Sequence, residues 1–391
     1  ETVFGARRVA LPAATRATAV AASVTHTVAL LADARSVSTW GDCVFARGAH
    51  CLLASATPQP LVAPSVPYEF SRAVVALGAG QHVTAVLLDD GGVHVYGSND
   101  YGQVGRAVFG GALSPYDVGG ADGVPLNAGT DNGVVGMSVG EVHMCAVLRR
   151  GQLRCWGRGT FGRLGYGSEA TVGGQDGAAQ PSLDVPVGGR VSAVSCATRH
   201  TCVVIDGRAR CFGENANGKL GHADIACDIG SSANCSVSAS GDVPLPSRCT
   251  VIDVATGADH SCALCANNEL LCWGRQDRLG AGVGGRASIN AADAVAALLP
   301  HTPATVTVTS SHTHTLVPLA DGRLFCFGTN LFGECGYNTS VTTDVIDVSS
   351  VGAVRLGALL LPVPPPAPPP RSESTSTGAP PPANMVHTST A

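Results

Sequence analysis

One frame recurs six times along this chain of 391 residues: a His near the end of one apolar run is followed by a second run that closes on aromatic-Gly. Around His143 it reads VHMCAVLRRGQLRCWGRGTFGRLG, around His200 RHTCVVIDGRARCFGENANGKLG, and around His260 DHSCALCANNELLCWGRQDRLG. His82, His314 and, more loosely, His26 anchor the other copies, and the six anchors are spaced 56, 61, 57, 60 and 54 residues apart. A period this steady over nearly the whole length means one architecture built by repetition. No residue is special until its counterparts in the other copies have been compared.

Within each copy apolar residues alternate with small or polar ones, as in Val93, Val95 and Gly97 or Leu153, Cys155 and Gly157, which is strand periodicity. Between the two best strands stand Asp90-Gly91-Gly92, Arg150-Gly151, Asp206-Gly207, Asn267-Asn268 and Asp321-Gly322, residues that adopt positive φ with little steric penalty and so close a β-hairpin. A third strand precedes the His at 74–77, 135–139, 191–195 and 252–255. The Pro-bounded segments 181–187 and 244–246 supply a fourth, at an edge where a missing N–H is tolerated. Three or four antiparallel strands per copy make one blade of a β-propeller. The 49 Gly and the 14% of charged residues fit this all-β, turn-rich reading rather than long solvated helices.

The ends of the chain set the blade count. Glu1 to Gly5 has the form of a last strand with nothing before it, while Val345-Ile346-Asp347-Val348 repeats Val251-Ile252-Asp253-Val254 and opens a copy that never reaches its aromatic-Gly. The N-terminal strand would complete the C-terminal blade and leave no long open edge. The expectation is a closed propeller of seven blades over residues 1–361, with six blades as the alternative, followed by a separate tail, 362–391.

These copies resemble the regulator-of-chromosome-condensation repeat, whose consensus carries the G-x-x-H-T-x-A-L, D-G-x-[LV]-x-x-W-G and N-x-x-G-Q-L-G elements present here. The resemblance covers about residues 1–361 and implies a β-propeller. It implies no single activity, since that family includes nucleotide exchange factors, ubiquitin ligases, secreted enzyme inhibitors and extracellular proteins.

The 15 cysteines follow the repeat. Cys145 and Cys155, Cys202 and Cys211, and Cys262 and Cys272 occupy one slot on each strand of the hairpin, where facing Cβ atoms come close to disulfide reach. Each such bridge is worth about 2 to 3 kcal/mol in the chain-entropy picture. Cys43 with Cys51 and Cys227 with Cys235 read as local bridges, and Cys196, Cys249, Cys265, Cys326 and Cys335 stay unassigned. Oxidised pairs at this density, with the N-x-[ST] sequons at Asn234 and Asn338, point to an extracellular or cell-surface setting. Zinc is the competing reading of Cys262-x-x-Cys265, but no second pair follows, so no metal is expected.

Candidate chemistry dissolves on comparison of the copies. A catalytic His needs a unique partner, whereas six equivalent histidines point to a buried structural role. Gly157-Arg158-Gly159-Thr160-Phe161-Gly162 spells a nucleotide-binding signature, yet GSNDYG, GENANG and GTNLFG stand at the same place, so it is the turn after the aromatic-Gly strand. Trp40, Trp156 and Trp273 share the aromatic slot and read as core. Asp89, Asp90 and Asp277 lack the spacing of a calcium loop. No catalytic residue and no cofactor are expected. The net charge of -5, with Lys219 the only lysine among 24 basic residues, argues against a nucleic-acid partner.

Function is therefore sought in what differs between copies: the connectors 106–132, 166–190, 222–248 and 276–300, gathered on a propeller face as a surface for a protein or glycan partner. The apolar run 351–363 carries Arg355 and is too short to span a bilayer, so no membrane span is expected; the absence of a leader before Glu1 fits a mature or cut chain. In the tail, Pro364, Pro365, Pro366, Pro368, Pro369 and Pro370 predict disordered or polyproline II chain resembling the O-glycosylated stalks of hydroxyproline-rich wall glycoproteins. The expected function is a non-enzymatic structural or binding module of an extracellular assembly. The alternatives are an exchange factor for a small GTPase and a secreted enzyme-binding inhibitor.

Overall fold

The computed structural model describes residues 16–23, 25–41, 68–105, 124, 126, 132–173, 181–275, 279, 288–289, 295–297, 314–318, 324–328 and 385–388. Each repeat forms its own small antiparallel sheet. The first contains β1 (Ala17–Ala22), β2 (His26–Leu31), β3 (Ser36–Gly41) and β4 (Tyr68–Glu69), in that order. The second is β5 (Val74–Ala79), β6 (Val83–Leu88) and β7 (Val93–Gly97); the third is built on β8 (Val134–Val139), β9 (His143–Leu148) and β10 (Leu153–Gly157). The fourth is β11 (Val191–Cys196), β12 (His200–Ile205) and β13 (Arg208–Gly213). In the fifth, β14 (Val251–Thr256), β15 (His260–Cys265) and β16 (Leu270–Arg275) are joined by β17 (Ser288–Ile289) and β18 (Val295–Ala297), both on β16. A sixth sheet pairs β19 (His314–Pro318) with β20 (Leu324–Gly328). These are the blades of a β-propeller, six of them among the described residues. The strands read as a shared seventh blade, 1–5 and 345–348, lie outside those residues.

The sheets stack face to face, which decides their burial. Strands β6, β9, β12 and β15 are buried at every position, because a middle strand with a neighbouring sheet on each side has no face left for water. One apolar cluster joins the third, fourth and fifth sheets through Leu153, Val194, Phe212, Val254 and Trp273; another joins the second and third through Val95, Met137 and Trp156.

Each described strand that precedes the slot carries a bulge at the same place, at Thr18, Val75, Val135, Ser192 and Ile252. The extra residue turns off the ladder. This is why Val75 and Ile252 are 52% and 42% exposed inside otherwise buried strands.

The hairpin turns use the residues that the sequence offers for them, with positive φ at Gly91, Gly151, Asp206, Gly207 and Asn268. The Gly of aromatic-Gly has a stricter requirement. Gly97, Gly157, Gly213, Gly274 and Gly328 all have φ between 102° and 119°, and a Cβ on Gly157 would lie 2.5 Å from Val142 O and 2.7 Å from His143 Cα. The facing strand passes too close for any side chain.

Two expectations are corrected. Segments 181–187 and 244–246 are not strands. Val124, Val185 and Val243 each donate one backbone bond to the outer strand, at Val93 O, Leu153 O and Ala209 O, and a tight turn follows in which the amide two residues on bonds back. The flanking prolines lack the N–H groups that would continue the ladder. The tail is not wholly disordered or polyproline II, because β21 (Met385–Thr388) pairs in parallel with β8. Its backbone groups take the edge of β8 opposite β9; the prolines 364–370 lie outside the described residues.

Gly157→Ala and Gly213→Ala are each expected to lower stability by about 2 to 4 kcal/mol, since strain and a backbone clash combine. Gly167→Ala, at φ 72° but with no atom nearer than 3.7 Å, should cost about 1 to 2 kcal/mol. Urea unfolding midpoints at constant slope provide the comparison.

Candidate functional site

Register decides which residue fills the repeated His slot. The slot residue lies opposite the Gly of aromatic-Gly: His26 with Gly41, His143 with Gly157, His200 with Gly213, His260 with Gly274 and His314 with Gly328. In the second sheet the residue opposite Gly97 is Val83, and His82 sits in the preceding turn. The reading of His82 as a slot residue is therefore off by one. Counting from the glycine would have found it, since Gly80-Gln81-His82-Val83 aligns with Gly140-Glu141-Val142-His143.

Four of the slot histidines each link two sheets. Nε2 of His26 lies 2.7 Å from Thr84 Oγ1, and Nε2 of His143, His200 and His260 lies 2.9 Å from Thr201 Oγ1, Ser261 Oγ and Thr315 Oγ1, always one position past the slot in the next sheet. Thr201 Oγ1 spends its proton on Arg163 O at 3.0 Å, and Ser261 Oγ on Lys219 O at 2.8 Å. A hydroxyl has one proton, so it must accept from the imidazole. His143 and His200 are therefore neutral Nε2–H tautomers. Where the slot holds Val83, the position that would offer the hydroxyl holds Met144, and both lie in one buried apolar cluster. The polar pair has been exchanged as a pair, which leaves no buried group unsatisfied.

The indoles repeat the logic. Trp156 Nε1 donates to Gln103 O at 2.9 Å and Trp273 Nε1 to Lys219 O at 3.0 Å, each across to the preceding sheet. The amides of Cys196 and Thr256 donate to Ser138 Oγ and Ser195 Oγ of the sheet before. Trp156 and Trp273 are fully buried, Trp40 half-buried.

All slot residues open onto one end of the sheets. The turns before them and the segments after aromatic-Gly lie together there, forming what is called the turn face; the hairpins occupy the other end. On the turn face Gln103, Arg163 and Lys219 occupy one repeated position and are all buried. Arg163 gives Nη1–H to Thr198 O at 2.7 Å, and Lys219 Nζ reaches Ala258 O at 3.3 Å, in the equivalent turn one sheet on. Lys219 also contacts Glu214 at 2.5 Å and Asp259 at 3.4 Å, and Arg199 and Arg275 extend this into an alternating ladder of charges. Burial opposes ionisation of Glu214 and Asp259, yet Lys219, aided by Arg199 at Glu214, more than offsets it and holds both carboxyls below their ordinary range.

Arg163 differs, having no carboxylate partner among the described residues. Burial first, then the neighbouring Arg158 and Arg199, bring its pKa down to about 10. Its guanidinium carbon and that of Arg199 lie 5.5 Å and 5.4 Å from the ring centre of Phe161; Arg158 lies 4.8 Å over Tyr101. Phe161 has φ 64°, a region bulky residues rarely enter. Sequence reasoning passed over this cluster. The available signal was variation at repeated positions: Thr25, His82, Val142, Arg199 and Asp259 all stand just before the slot.

The sulfur atoms of Cys145 and Cys155, Cys202 and Cys211, and Cys262 and Cys272 lie 2.07, 2.06 and 2.12 Å apart, each pair directly opposite in register with Cα atoms 4.1 Å apart. Such spacing is that of the narrow, non-hydrogen-bonded sites of an antiparallel ladder. Cys227 and Cys235 are bonded at 2.00 Å; so are Cys249 and Cys265 at 1.95 Å, which leaves neither Cys262 nor Cys265 for a metal. Cys326 is also disulfide-bonded, and Cys196 is buried and free. Cys43, Cys51 and Cys335 lie outside the described residues. Of the variable connectors, 222–248 is described throughout and carries Asn234, exposed on a short turn closed by Cys227 and Cys235. Asn338, Asp277, most of 106–132 and most of 276–300 fall outside. No group of His, Cys, Asp and Glu suited to a metal occurs among the described residues, and no described helix is long and apolar enough to cross a membrane.

Fold and site together define a repeat propeller whose histidines tie blade to blade and whose variable charged and aromatic groups gather on one face. Family models of the regulator of chromosome condensation (RCC1) repeat match residues 134–163, 150–204 and 251–278, so the chain carries segments similar to that repeat. It is 26% identical over 318 residues to the ultraviolet-B receptor UVR8 of Arabidopsis thaliana, covering 81% of this chain and 66% of that one. With a secretion-regulating guanine nucleotide exchange factor of Bos taurus it shares 28% identity over 282 residues, covering 67% and 57%. The chain thus spans less than two thirds of either relative. A solved structure of Kap60 bound to yeast RCC1 (Prp20) superposes with a TM-score of 0.58 at 18% identity, covering 80% of this chain and 70% of that one, which supports the fold alone.

The His–hydroxyl link yields two predictions. His143→Val and Thr201→Met should each destabilise by about 1 to 3 kcal/mol, while the double change, which copies the natural Val83 and Met144 pair, should cost less than their sum in a double-mutant cycle. Burial holds the pKa of His143 and His200 well below the usual 6.5. Below about pH 6.5 the unfolded chain takes up protons that the folded chain refuses, so stability should fall as pH drops from about 6.5 toward 5. The urea midpoint at pH 5 against pH 7.5 tests this, and His200→Gln should flatten the difference.

Proposed function

We propose that this chain is a non-enzymatic docking propeller that binds a protein partner on its turn face. The observation that carries the reading is the concentration there of positions that differ between repeats, among them Tyr101, Phe161, Arg158 and Arg199, on a frame whose slot is His in five of the six described sheets and whose aromatic position is always Trp, Tyr or Phe. Tyr101 and Arg199 are exposed and Phe161 and Arg158 half-buried, and aromatic and Arg side chains on a rigid frame are the composition of interface anchors. A glycan is the other ligand such a face would take.

The proposal includes an extracellular or cell-surface setting. Five described cysteine pairs at bonding distance fit an oxidising compartment. The exposed Asn234 and the prolines 364–366 and 368–370 are then sites for glycans, with residues 362–391 as a stalk or tether to a larger assembly. Alkylation and non-reducing peptide mapping of protein from its native source should show the Cys145, Cys202 and Cys262 pairs linked. Finding all three reduced would remove this part of the proposal. For the docking face, a photo-crosslinker at position 101 should capture a partner protein in that material and one at Arg149, on the hairpin face, should not; equal capture at both would sink it.

A second reading is favoured by the likeness to the Bos taurus exchange factor: a partner that is a small GTPase, whose nucleotide this propeller would release. Fluorescent-GDP release from a panel of small GTPases decides it, and no acceleration at micromolar propeller removes it.

A further inference from the structure

We infer that the arginine cluster around Phe161 is the anchor of the turn face and that it takes an acidic segment of a partner protein, with carboxylates between Arg158 and Arg199 and an apolar or aromatic side chain against Phe161 and Tyr101. The inference rests on the docking reading above and adds the chemistry of the partner. Arg163 and Arg199 both stand against Phe161, and the charges of Arg158 and Arg199 both act on Arg163. Arg163 is 2% exposed and spends its donors on Thr160 O, Thr160 Oγ1 and Thr198 O. It is therefore a fixed, buried positive charge without a counter-ion of its own. Arg199 is exposed, lies 5.4 Å from the Phe161 ring centre and pairs with Glu214 at 2.9 Å, a carboxylate already shared with Lys219. Arg158 is half-buried over Tyr101 and has no carboxylate partner among the described residues. Glu141 and Glu214 are the acids whose charges act on Arg163, and Glu169 accepts the Phe161 amide at 3.1 Å.

The aromatic component is held in place rather than free. Phe161 sits in the left-handed region with its amide bonded to Glu169, and the following Gly162 packs so closely on the 230–231 backbone that no Cβ would fit there. The corresponding Asn217, one sheet on, has the same φ of 61° but a side chain for which that region is common. At this φ the Phe161 ring lies within reach of both the Arg163 and the Arg199 guanidinium groups. Tyr101, 40% exposed, presents the same kind of surface one sheet before. Arginine forks favour carboxylates bidentately and also stack on rings, so an acidic and aromatic peptide satisfies both features at once.

The test uses the full chain and a fluorescein-labelled ten-residue peptide of alternating Glu and Tyr, read by anisotropy at low salt. Expected is saturable binding that weakens steeply with added salt and by at least about tenfold when Gln replaces Glu in the peptide. Arg158→Glu with Arg199→Glu should abolish it, Arg158→Lys with Arg199→Lys should retain part of it, and Arg149→Glu on the hairpin face should leave it unchanged. Unaltered unfolding midpoints establish that the variants are folded. No binding of the Glu peptide, or equal binding of the Glu and Gln peptides or of the charge-reversed protein, overturns the inference. If crosslinking from position 101 still captures a partner in that case, docking stands and only the acidic chemistry fails.

Discussion

The link from a slot histidine through a hydroxyl to a backbone carbonyl is the contact on which the stacking of this propeller depends. His143, Thr201 and Arg163 O form one such chain, and His200, Ser261 and Lys219 O form the next. Each chain contains one donor and one acceptor too many for a single sheet to satisfy, so the groups are paired only when neighbouring sheets are seated correctly. An apolar face alone tolerates sliding, because dispersion and burial are non-directional. A buried hydrogen-bonded chain does not, because a small shift leaves polar groups unpaired in a dry interior. The Val83 and Met144 exchange shows the rule from its other side: the pair is either polar at both positions or apolar at both.

The same economy governs the buried cations. Lys219 and Arg163 reach the same carbonyl of the following turn, at Ala258 and Thr198, so a basic residue at that position is first a strut between sheets. They diverge in their surroundings. Lys219 is held between Glu214 and Asp259, whereas Arg163 faces two further arginines and an aromatic ring. A scaffold element repeated for packing has thereby become a local concentration of positive charge. Docking surfaces on repeat proteins arise readily in this way, since the repeat supplies rigidity and a few unmatched side chains supply chemistry.

Much of this was legible in the chain. The hairpins, their turn residues, the strand before the slot and the dismissal of a nucleotide-binding loop all follow from periodicity and from comparing copies. Segments 181–187 and 244–246 were misread because an apolar, Pro-bounded run looks the same whether it makes a ladder or a single bond. His82 was misread because a His one residue early is a better match by type than Val83 is by position. Cys249 and Cys265 could not be paired from their spacing. The arginine cluster was passed over because Arg158, Phe161, Arg163 and Arg199 belong to two repeats and look unrelated along the chain.

By itself the sequence determined the repeat, the strands and the turns, since these depend on φ preferences and on side-chain alternation over a few neighbouring residues. The tertiary structure alone decided which hydroxyl His26, His143, His200 and His260 meet, why Lys219 is buried, how the Arg163 and Arg199 guanidinium groups come to lie against Phe161, and that β21 returns to β8. The physical reason is separation. The partners of these contacts in neighbouring sheets stand 35 to 61 residues apart, and β21 further still from β8, so their meeting is set by how one sheet packs on the next and by nothing local to either.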